Sequence, residues 1–231
     1  MPKLYSVRIE NDEFHKKLGG GIPSGTIALI KGEHGSGKSV LCQRIVYGLL
    51  NNDFTVSYVS TQLTTTDFVK QMISLGYDVI HYIIRNKLAF FPVYPLISDL
   101  KERTDYSKKL ISGKSIFGKD IIVIDSFSSL VKFDISTKAA IDLMGFLKRI
   151  AATGKAIILT ALEGEIPESA MEEIESAASL IIETSIKKFG ADLKNLMVIR
   201  KYNFAVEQYS KQTAFRVEPK IGLVVEIAAV A

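Results

Sequence analysis

A glycine-rich segment early in the chain has the residue types and spacing of a phosphate-binding loop. It matches the pattern G-x-x-x-x-G-K-[ST] at every position, through Gly32, Glu33, His34, Gly35, Ser36, Gly37, Lys38 and Ser39. The glycines allow the backbone to curl until successive N–H groups converge on phosphate oxygens. In such loops the lysine reaches the β- and γ-phosphates, and the serine hydroxyl ligates Mg²⁺. The segment therefore predicts a nucleotide-binding loop in which Ser39 is a metal ligand.

A carboxylate suited to act with this loop follows the apolar run Ile121–Ile124. An acid at the end of a neighbouring strand holds water on the Mg²⁺ of such a site. An apolar run before an acid is common at the ends of buried strands, so this signal depends on the loop in the same chain. We expect Asp125 to bind the nucleotide's metal together with Ser39.

The elements around these residues alternate between apolar strands and amphipathic helices, which is typical of an α/β fold with a mostly parallel central sheet. A strand over 26–30 and a helix over 38–50 flank the loop, as the motif requires. Further strands are predicted over 54–60, 121–124, 156–161 and 180–184, with helices over 67–75 and 140–150. The last segments, 196–200, 213–217 and 223–227, indicate antiparallel strands with a hairpin turn at 219–222. Residues 87–118 lack a steady period, and we interpret them as an insertion in the same domain.

The composition is that of a globular chain, with 231 residues, 47% hydrophobic and 23% charged. These values exclude disordered and collagenous classes. No uncharged apolar run is long enough to span a membrane, and the first residues lack the apolar block of a signal peptide. The single cysteine, Cys42, excludes an internal disulfide and is typical of a reducing compartment. We expect one soluble, cytoplasmic domain over residues 1–231.

The charges are distributed unevenly, although the net charge is only +4. Residues 163–175 contain six glutamates and no basic residue, whereas residues 187–220 contain eight basic residues and three acidic ones. Each run is either a solvated face or a surface that meets its complement in an oligomer. A further interpretation of the basic run is an anionic partner.

The motifs together resemble the KaiC-like members of the RecA-fold ATPases. The segment Leu18–Gly25, followed by a strand and by Gly32–Ser39, is similar to the opening of these proteins, and Ile124–Leu130 is similar to their acidic strand end. The resemblance extends through nearly the whole chain. It implies a RecA-like P-loop fold, ATP and Mg²⁺ as ligands, and a homo-oligomeric ring, usually a hexamer.

Within that family, the compact length and the closing hairpin most resemble the ATP-binding component beside the archaellum motor. This similarity implies the archaellum motor ATPase and the membrane-platform or ring proteins as partners. It also implies a position at the cytoplasmic face of the membrane, held through those partner proteins.

The sequence departs from the family where the attacking water is activated. In KaiC-like hydrolases a pair of glutamates follows the second strand, and the matching positions here are Gln62 and Leu63. A glutamine can orient a water but cannot accept its proton. Loss of a general base costs about 10²–10⁴ in rate. Glu163 or Glu165, after the strand over 156–161, is the alternative base.

A second departure concerns a pair of basic residues. The family carries this pair on a late strand, and its side chains reach the phosphates bound by a neighbouring subunit. Arg200 matches the first position of the pair, but Tyr202 occupies the second. Arg200 is therefore a candidate trans-acting finger, or else a strand-end arginine that faces water. Thr160 could sense the γ-phosphate or simply cap a strand. The aromatics over 89–94 could stack on adenine or pack in the core.

Three functional hypotheses follow. The first is an ATP-binding regulatory or scaffold subunit of a motor, with weak or absent hydrolysis. The second is an active ATPase or autokinase of the same family. The third is a recombinase-type DNA-binding protein, which is disfavoured because the chain has no added DNA-binding domain and an ordinary net charge. Nucleic acid is therefore not the expected partner.

Overall fold

A nine-stranded mixed sheet organises the structure, a computed structural model that describes residues 2–93, 106–189 and 192–226. Two short strands form a separate antiparallel pair, β1 (Leu4–Ser6) and β2 (Gly21–Pro23). The strands of the large sheet are β3 (Ile27–Gly32), β4 (Val56–Ser60), β5 (Leu88–Pro92), β6 (Ile121–Asp125), β7 (Ala156–Leu162), β8 (Leu180–Phe189), β9 (Asp192–Tyr202), β10 (Gln212–Glu218) and β11 (Gly222–Glu226). Their order across the sheet is β11-β10-β9-β8-β3-β7-β6-β4-β5.

The sheet consists of a parallel part and an antiparallel part. Strand β3 pairs in parallel with both β7 and β8, and parallel pairing continues through β6, β4 and β5. Beyond β8, each strand runs antiparallel to the strand before it, and the series ends in the β10–β11 hairpin. The predicted mostly parallel sheet with a closing antiparallel hairpin is therefore confirmed. Residues 88–92, placed in the predicted insertion, instead form the edge strand β5.

Helices cover both faces of the sheet. They are α1 (Phe14–Lys17), α2 (Lys38–Asn51), α3 (Thr65–Ser74), α4 (Ile80–Ile84), α5 (Tyr106–Ser112), α6 (Phe127–Val131), α7 (Thr137–Ala152) and α8 (Glu168–Ala177), with a short 3₁₀ helix at Lys114–Gly118. One apolar core joins α2 and α3 to the sheet, and a second joins α6, α7 and α8 to the opposite face. In β3, Ile30 contributes to the first core and Leu29 to the second, since successive strand residues point to opposite faces. None of the described helices is long and apolar enough to cross a membrane.

The helix boundaries follow from local sequence signals. Helix α2 presents Leu41, Ile45 and Leu49 to the core at i, i+4, i+8 spacing. Helix α3 begins after Thr64, whose hydroxyl accepts a hydrogen bond from the Asp67 N–H at 3.1 Å. Because these elements connect parallel strands, the carboxyl ends of β3, β4, β6 and β7 meet at one edge of the sheet. The residues with predicted chemistry follow these ends.

Candidate functional site

The glycine-rich loop lies between the end of β3 and the start of α2. Gly35 and Gly37 have φ values of 74° and 87°, a region that side-chain-bearing residues rarely adopt. A Cβ added to Gly37 would lie 2.9 Å from the Phe215 ring on β10, so a close approach also requires glycine there. On β8, the Thr184 hydroxyl is hydrogen-bonded to the buried Ser36 hydroxyl at 2.6 Å. The antiparallel part of the sheet therefore supports the loop from behind.

Lys38 folds back onto the loop that precedes it. Its Nζ donates to the carbonyl oxygens of Gly32 at 3.0 Å and Glu33 at 2.6 Å. Burial lowers the pKa of Lys38, while the negative charges of Asp125 and Glu165 act in the opposite direction. A phosphate that binds here must compete with two carbonyl oxygens for the ammonium group.

Asp125 lies at the end of β6, buried beneath the loop. Its Oδ1 accepts hydrogen bonds from the Ser39 hydroxyl at 3.2 Å and the Thr160 hydroxyl at 2.7 Å. Its Oδ2 accepts a hydrogen bond from the Tyr58 hydroxyl at 2.7 Å. A serine hydroxyl beside a carboxylate is the kind of oxygen donor set that fits Mg²⁺, which binds through few protein ligands together with phosphates and water. The structure thus brings together the two residues predicted as metal ligands.

The residue after Asp125 has an unusual backbone. Ser126 has a φ of 58° and a ψ of 47°, although it is not glycine. Its N–H donates to the Thr160 hydroxyl at 2.6 Å, and that hydroxyl in turn donates to Asp125. Both hydrogen-bonding roles of the Thr160 hydroxyl are therefore used within the protein. The sequence does not signal this turn, because neither proline nor glycine marks it.

A cavity of about 330 Å³ opens above the loop. It is lined by His34, Gly35, Gly37, Lys38, Ser39, Val40, Gln62, Ser126, Ser129, Thr160, Leu162 and Glu165. Gln62 follows β4, is exposed and lines this cavity. Glu165 follows β7, and β6 lies between β4 and β7 in the sheet, so Gln62 and Glu165 approach the cavity from opposite sides of β6. The N–H groups of Gln62 and Leu63 donate to the Ser60 hydroxyl at 3.3 and 3.1 Å, which fixes the turn that carries Gln62.

The two glutamates after β7 occupy different places. Glu163 is exposed and lines a separate cavity, whereas Glu165 lines the loop cavity. The Glu165 carboxylate accepts hydrogen bonds from Ser128 at 2.7 Å, Ser129 at 2.8 Å and Lys132 at 3.1 Å. Burial raises the pKa of Glu165, but these hydrogen bonds outweigh it and the net pKa is lowered. Glu165 is thus an ionised carboxylate whose oxygens already have donors.

Arg200 lies on β9, away from the loop cavity. It is exposed, and its Nε forms an ion pair with Glu183 at 2.5 Å. Neither Arg200 nor Glu163 is among the described residues that line the loop cavity; both line the neighbouring cavity of about 440 Å³. Tyr202 donates to the Gly21 carbonyl at 2.6 Å, so it takes part in packing. A trans-acting role for Arg200 stays a prediction.

Of the aromatic residues over 89–94, which could contact adenine or pack in the core, Phe90 packs in the core. Phe90 stacks on Phe68 at 4.4 Å between ring centroids and lies 5.8 Å from Tyr58, so its ring packs against the core. Tyr94 lies outside the described residues. Tyr58 itself was not singled out from the sequence, because its contact with Asp125 depends on the pairing of β4 with β6.

Comparison with known protein families agrees with the fold and with the loop cavity. The chain belongs to the KaiC family of ATPases, whose model, "ATPase: KaiC", matches residues 8–226. A KaiC-like protein from Pyrococcus horikoshii superposes with a TM-score of 0.76 at 22% identity, covering 98% of this chain and 100% of that one. This likeness confirms the RecA-like fold.

More particular relatives place the chain among the FlaH proteins of that family. The archaeal flagellar ATP-binding protein FlaH of Methanocaldococcus jannaschii is 47% identical over 229 residues, covering 99% of this chain and 98% of the relative. FlaH of Methanococcus voltae is 43% identical over 229 residues, with 99% and 100% covered. The crystal structure of the M. jannaschii flagellar accessory protein FlaH gives a TM-score of 0.93 and covers 98% of this chain and 100% of that one. The resemblance inferred from the motifs is confirmed.

Proposed function

We propose that this chain is an ATP-binding regulatory or scaffold subunit of an archaeal flagellar motor, with weak or absent hydrolysis. The relatives that share nearly its whole length are named as archaeal flagellar ATP-binding proteins. The observation that carries the nucleotide-binding part is the contact of Ser39 with Asp125 directly beneath a complete phosphate-binding loop. The proposal treats residues 1–231 as one ATP-binding domain.

In this proposal each part of the loop has one task in binding. The N–H groups of residues 32–39 and the N-terminus of α2 receive the phosphates, because their partial positive charges converge there. Lys38 exchanges its two carbonyl partners for β- and γ-phosphate oxygens. Ser39 would ligate Mg²⁺, and Asp125 would hold a water on it. The metal ion neutralises phosphate charge when it is bound.

Slow hydrolysis is supported by the residues that face the same cavity. Gln62 occupies the position of the water-activating glutamate pair, and an amide cannot accept a proton from water at neutral pH. Glu165 has a carboxylate, but three donors hold it. These hydrogen bonds lower the pKa of Glu165, and a carboxylate with a lowered pKa is a weaker general base. The cavity is therefore better suited to holding a nucleotide than to cleaving it.

The second candidate function is an active ATPase or autokinase. It is favoured by one observation, that Glu165 lines the loop cavity and has a lowered pKa, so its carboxylate is ionised. If a bound nucleotide drew Ser129 or Lys132 away, this carboxylate would become a base. Turnover that disappears in Glu165→Gln would favour this candidate over the first.

We further propose that the chain forms a ring, hexameric in the family pattern, at the cytoplasmic face of the membrane. Partner proteins of the motor, the motor ATPase and the platform or ring proteins, would hold it there. Arg200 supports a contact between subunits, since it is exposed and is not among the described residues that line the loop cavity of its own chain. Its ion pair with Glu183 would open when it reaches a neighbouring phosphate.

The experiment that tests the function measures ATP–Mg²⁺ binding and phosphate release on one preparation. The parent is expected to bind ATP and release phosphate slowly, and Lys38→Ala is expected to lose binding. Lys155→Ala is the matched control, because its Nζ also donates to a backbone carbonyl, that of Lys119 at 2.6 Å, far from the loop. Binding by Lys38→Ala equal to that of the parent would contradict the site, and fast turnover by the parent would contradict the scaffold role.

A further inference from the structure

Tyr58 contacts the carboxylate of Asp125 from within the core that joins α2 and α3 to the sheet. Its side chain is fully buried, and its hydroxyl donates to Asp125 Oδ2 at 2.7 Å. The other oxygen, Oδ1, accepts from Ser39 and Thr160. The two oxygens of one carboxylate thus have separate partners, one facing the core and one facing the loop.

The position of the Tyr58 hydroxyl is determined by the sheet and by two aromatic neighbours. In the pairing of β4 with β6, Tyr58 is opposite Val123, two residues before Asp125. Its ring lies 4.8 Å from the Phe68 ring and 5.8 Å from the Phe90 ring. A buried ring between packed neighbours has little freedom to move, so its hydroxyl is a fixed donor.

A fixed donor on one oxygen holds the orientation of the Asp125 carboxylate, so that the other oxygen stays directed at Ser39. Without it, the carboxylate could turn about its χ2 torsion, which has a broad energy profile. The oxygen next to Ser39 would then lose its constant position. Partners that orient a metal-binding side chain from behind influence metal affinity strongly, although they never touch the metal.

We propose that Tyr58 is a positioning residue that sets the Mg²⁺ affinity of the nucleotide site through its hydrogen bond to Asp125. This proposal rests on the proposed function, since it concerns the metal that accompanies ATP. It assigns to the core aromatic cluster a role in ligand binding in addition to packing. A purely structural tyrosine would affect the melting temperature and leave the Mg²⁺ requirement unchanged.

The test compares Tyr58→Phe with Tyr5→Phe. Phenylalanine preserves the packed ring and removes only the hydroxyl. Tyr5 is a matched control because it is also buried and its hydroxyl donates to a protein oxygen, that of Gly154 at 2.6 Å. For each variant, ATP affinity is measured in EDTA and across a Mg²⁺ titration, and a thermal melt records stability.

Tyr58→Phe is expected to raise the Mg²⁺ concentration for half-maximal tightening of ATP binding by about 10–100-fold. Its affinity for ATP in EDTA should stay within about twofold of the parent, because the hydroxyl does not reach the phosphates. Tyr5→Phe should leave both values unchanged. A Mg²⁺ requirement of Tyr58→Phe equal to that of Tyr5→Phe would overturn the proposal.

A double variant tests whether Tyr58 acts through Asp125. In an Asp125→Asn background, Tyr58→Phe is expected to add no further change in the Mg²⁺ requirement, whereas an additional, independent loss would overturn the proposal. The parent separates this outcome from failure of the proposed function. A parent that tightens ATP binding with Mg²⁺ upholds the proposed nucleotide site whatever Tyr58→Phe does. A parent that binds ATP equally with and without Mg²⁺ refutes the role of Tyr58, and a parent that binds no ATP refutes both proposals.

Discussion

The metal side and the water side of the loop cavity differ in how their side chains are held. We define the metal side as Ser39, Asp125 and Thr160, and the water side as Gln62 and Glu165. On the metal side, hydrogen bonds from the half-buried Ser39 and the buried Thr160 converge on one buried carboxylate. On the water side, Gln62 is exposed and the Glu165 carboxylate is bound to donors outside the loop.

This contrast separates two requirements that ATPases normally satisfy together. Binding needs preorganised donors and a metal-holding carboxylate, and the metal side has both. Hydrolysis also needs a base with a free lone pair beside the attacking water. Because one cavity holds both sides, substitutions on one side can be compared directly with substitutions on the other.

The largest effect is expected on the metal side, from Asp125→Asn. Loss of the charge should weaken Mg²⁺-dependent ATP binding by at least about 10–100-fold, which is the typical loss of metal affinity when a residue that orients the metal ligands is substituted. Binding in EDTA should change much less, because Asp125 is not a phosphate donor. Isothermal titration with and without Mg²⁺ checks this. Equal losses in both conditions would show that Asp125 acts on the fold of the loop and not on the metal.

On the water side, Gln62→Glu should increase turnover with little change in ATP affinity. The new carboxylate would act on water and not on the bound phosphates. A general base contributes about 10²–10⁴, and a gain of about tenfold in single-turnover hydrolysis would already support the assignment, since Leu63 still lacks the second carboxylate. Gln62→Asn is the control, because it changes the side chain without adding a charge. No gain would mean that Gln62 does not face the attacking water.

Glu165→Gln should change the slow turnover by less than about twofold, because the hydrogen bonds that lower the pKa of Glu165 make its carboxylate a weak base. It should also change the pH dependence of stability. The folded-state pKa of Glu165 is lowered, so its hydrogen bonds stabilise the fold above the ordinary glutamate pKa and are lost as the pH falls through the lowered value. Thermal melts from neutral to acidic pH should therefore show a shallower decline in this variant. Abolished turnover would instead favour the ATPase candidate.

The smallest effect concerns assembly. If the glutamates of 163–175 meet the basic run 187–220 of another copy, self-association should weaken as salt rises, since exposed charges are screened over about 8–10 Å. Part of this charge is already paired within the chain, because Glu175 of the acidic run contacts Lys31 at 2.7 Å and Arg200 of the basic run contacts Glu183 at 2.5 Å. Only a modest salt dependence is therefore expected. Light scattering that shows a constant mass from low to high salt would contradict the electrostatic contribution.

The sequence was sufficient for features that depend on local spacing. The loop, helix α2 and strand β6 were predicted because glycine spacing, helical periodicity and a continuous apolar run are each visible within a short window. Helix α8 was not predicted. Its buried residues are only Ala170 and Ile174, and the glutamates around them made the segment look like a charged run instead of a helix with an apolar face. Strand β8 extends to Phe189, beyond the predicted end at residue 184, because its polar half is paired with β9.

The candidate site was only partly predictable for a related reason. The turn after β7 contains Gly164 with a φ of 79°, and this reversal places Glu163 and Glu165 at different cavities. Two glutamates that are only two residues apart thus have different surroundings. The bond between Tyr58 and Asp125 likewise depends on which strands are neighbours, and no local pattern specifies that order.

The contact of Gly37 with Phe215 has a consequence for the order in which the site forms during synthesis. The motif leaves the ribosome before its supports, Thr184 and Phe215, which follow it at a long distance in the sequence. Contacts between distant segments form only after both are available. A nascent chain that ends before β8 would carry every residue of the motif without the surface against which the loop folds. The nucleotide site of this protein is therefore completed by β8 and β10, which are synthesised after the motif.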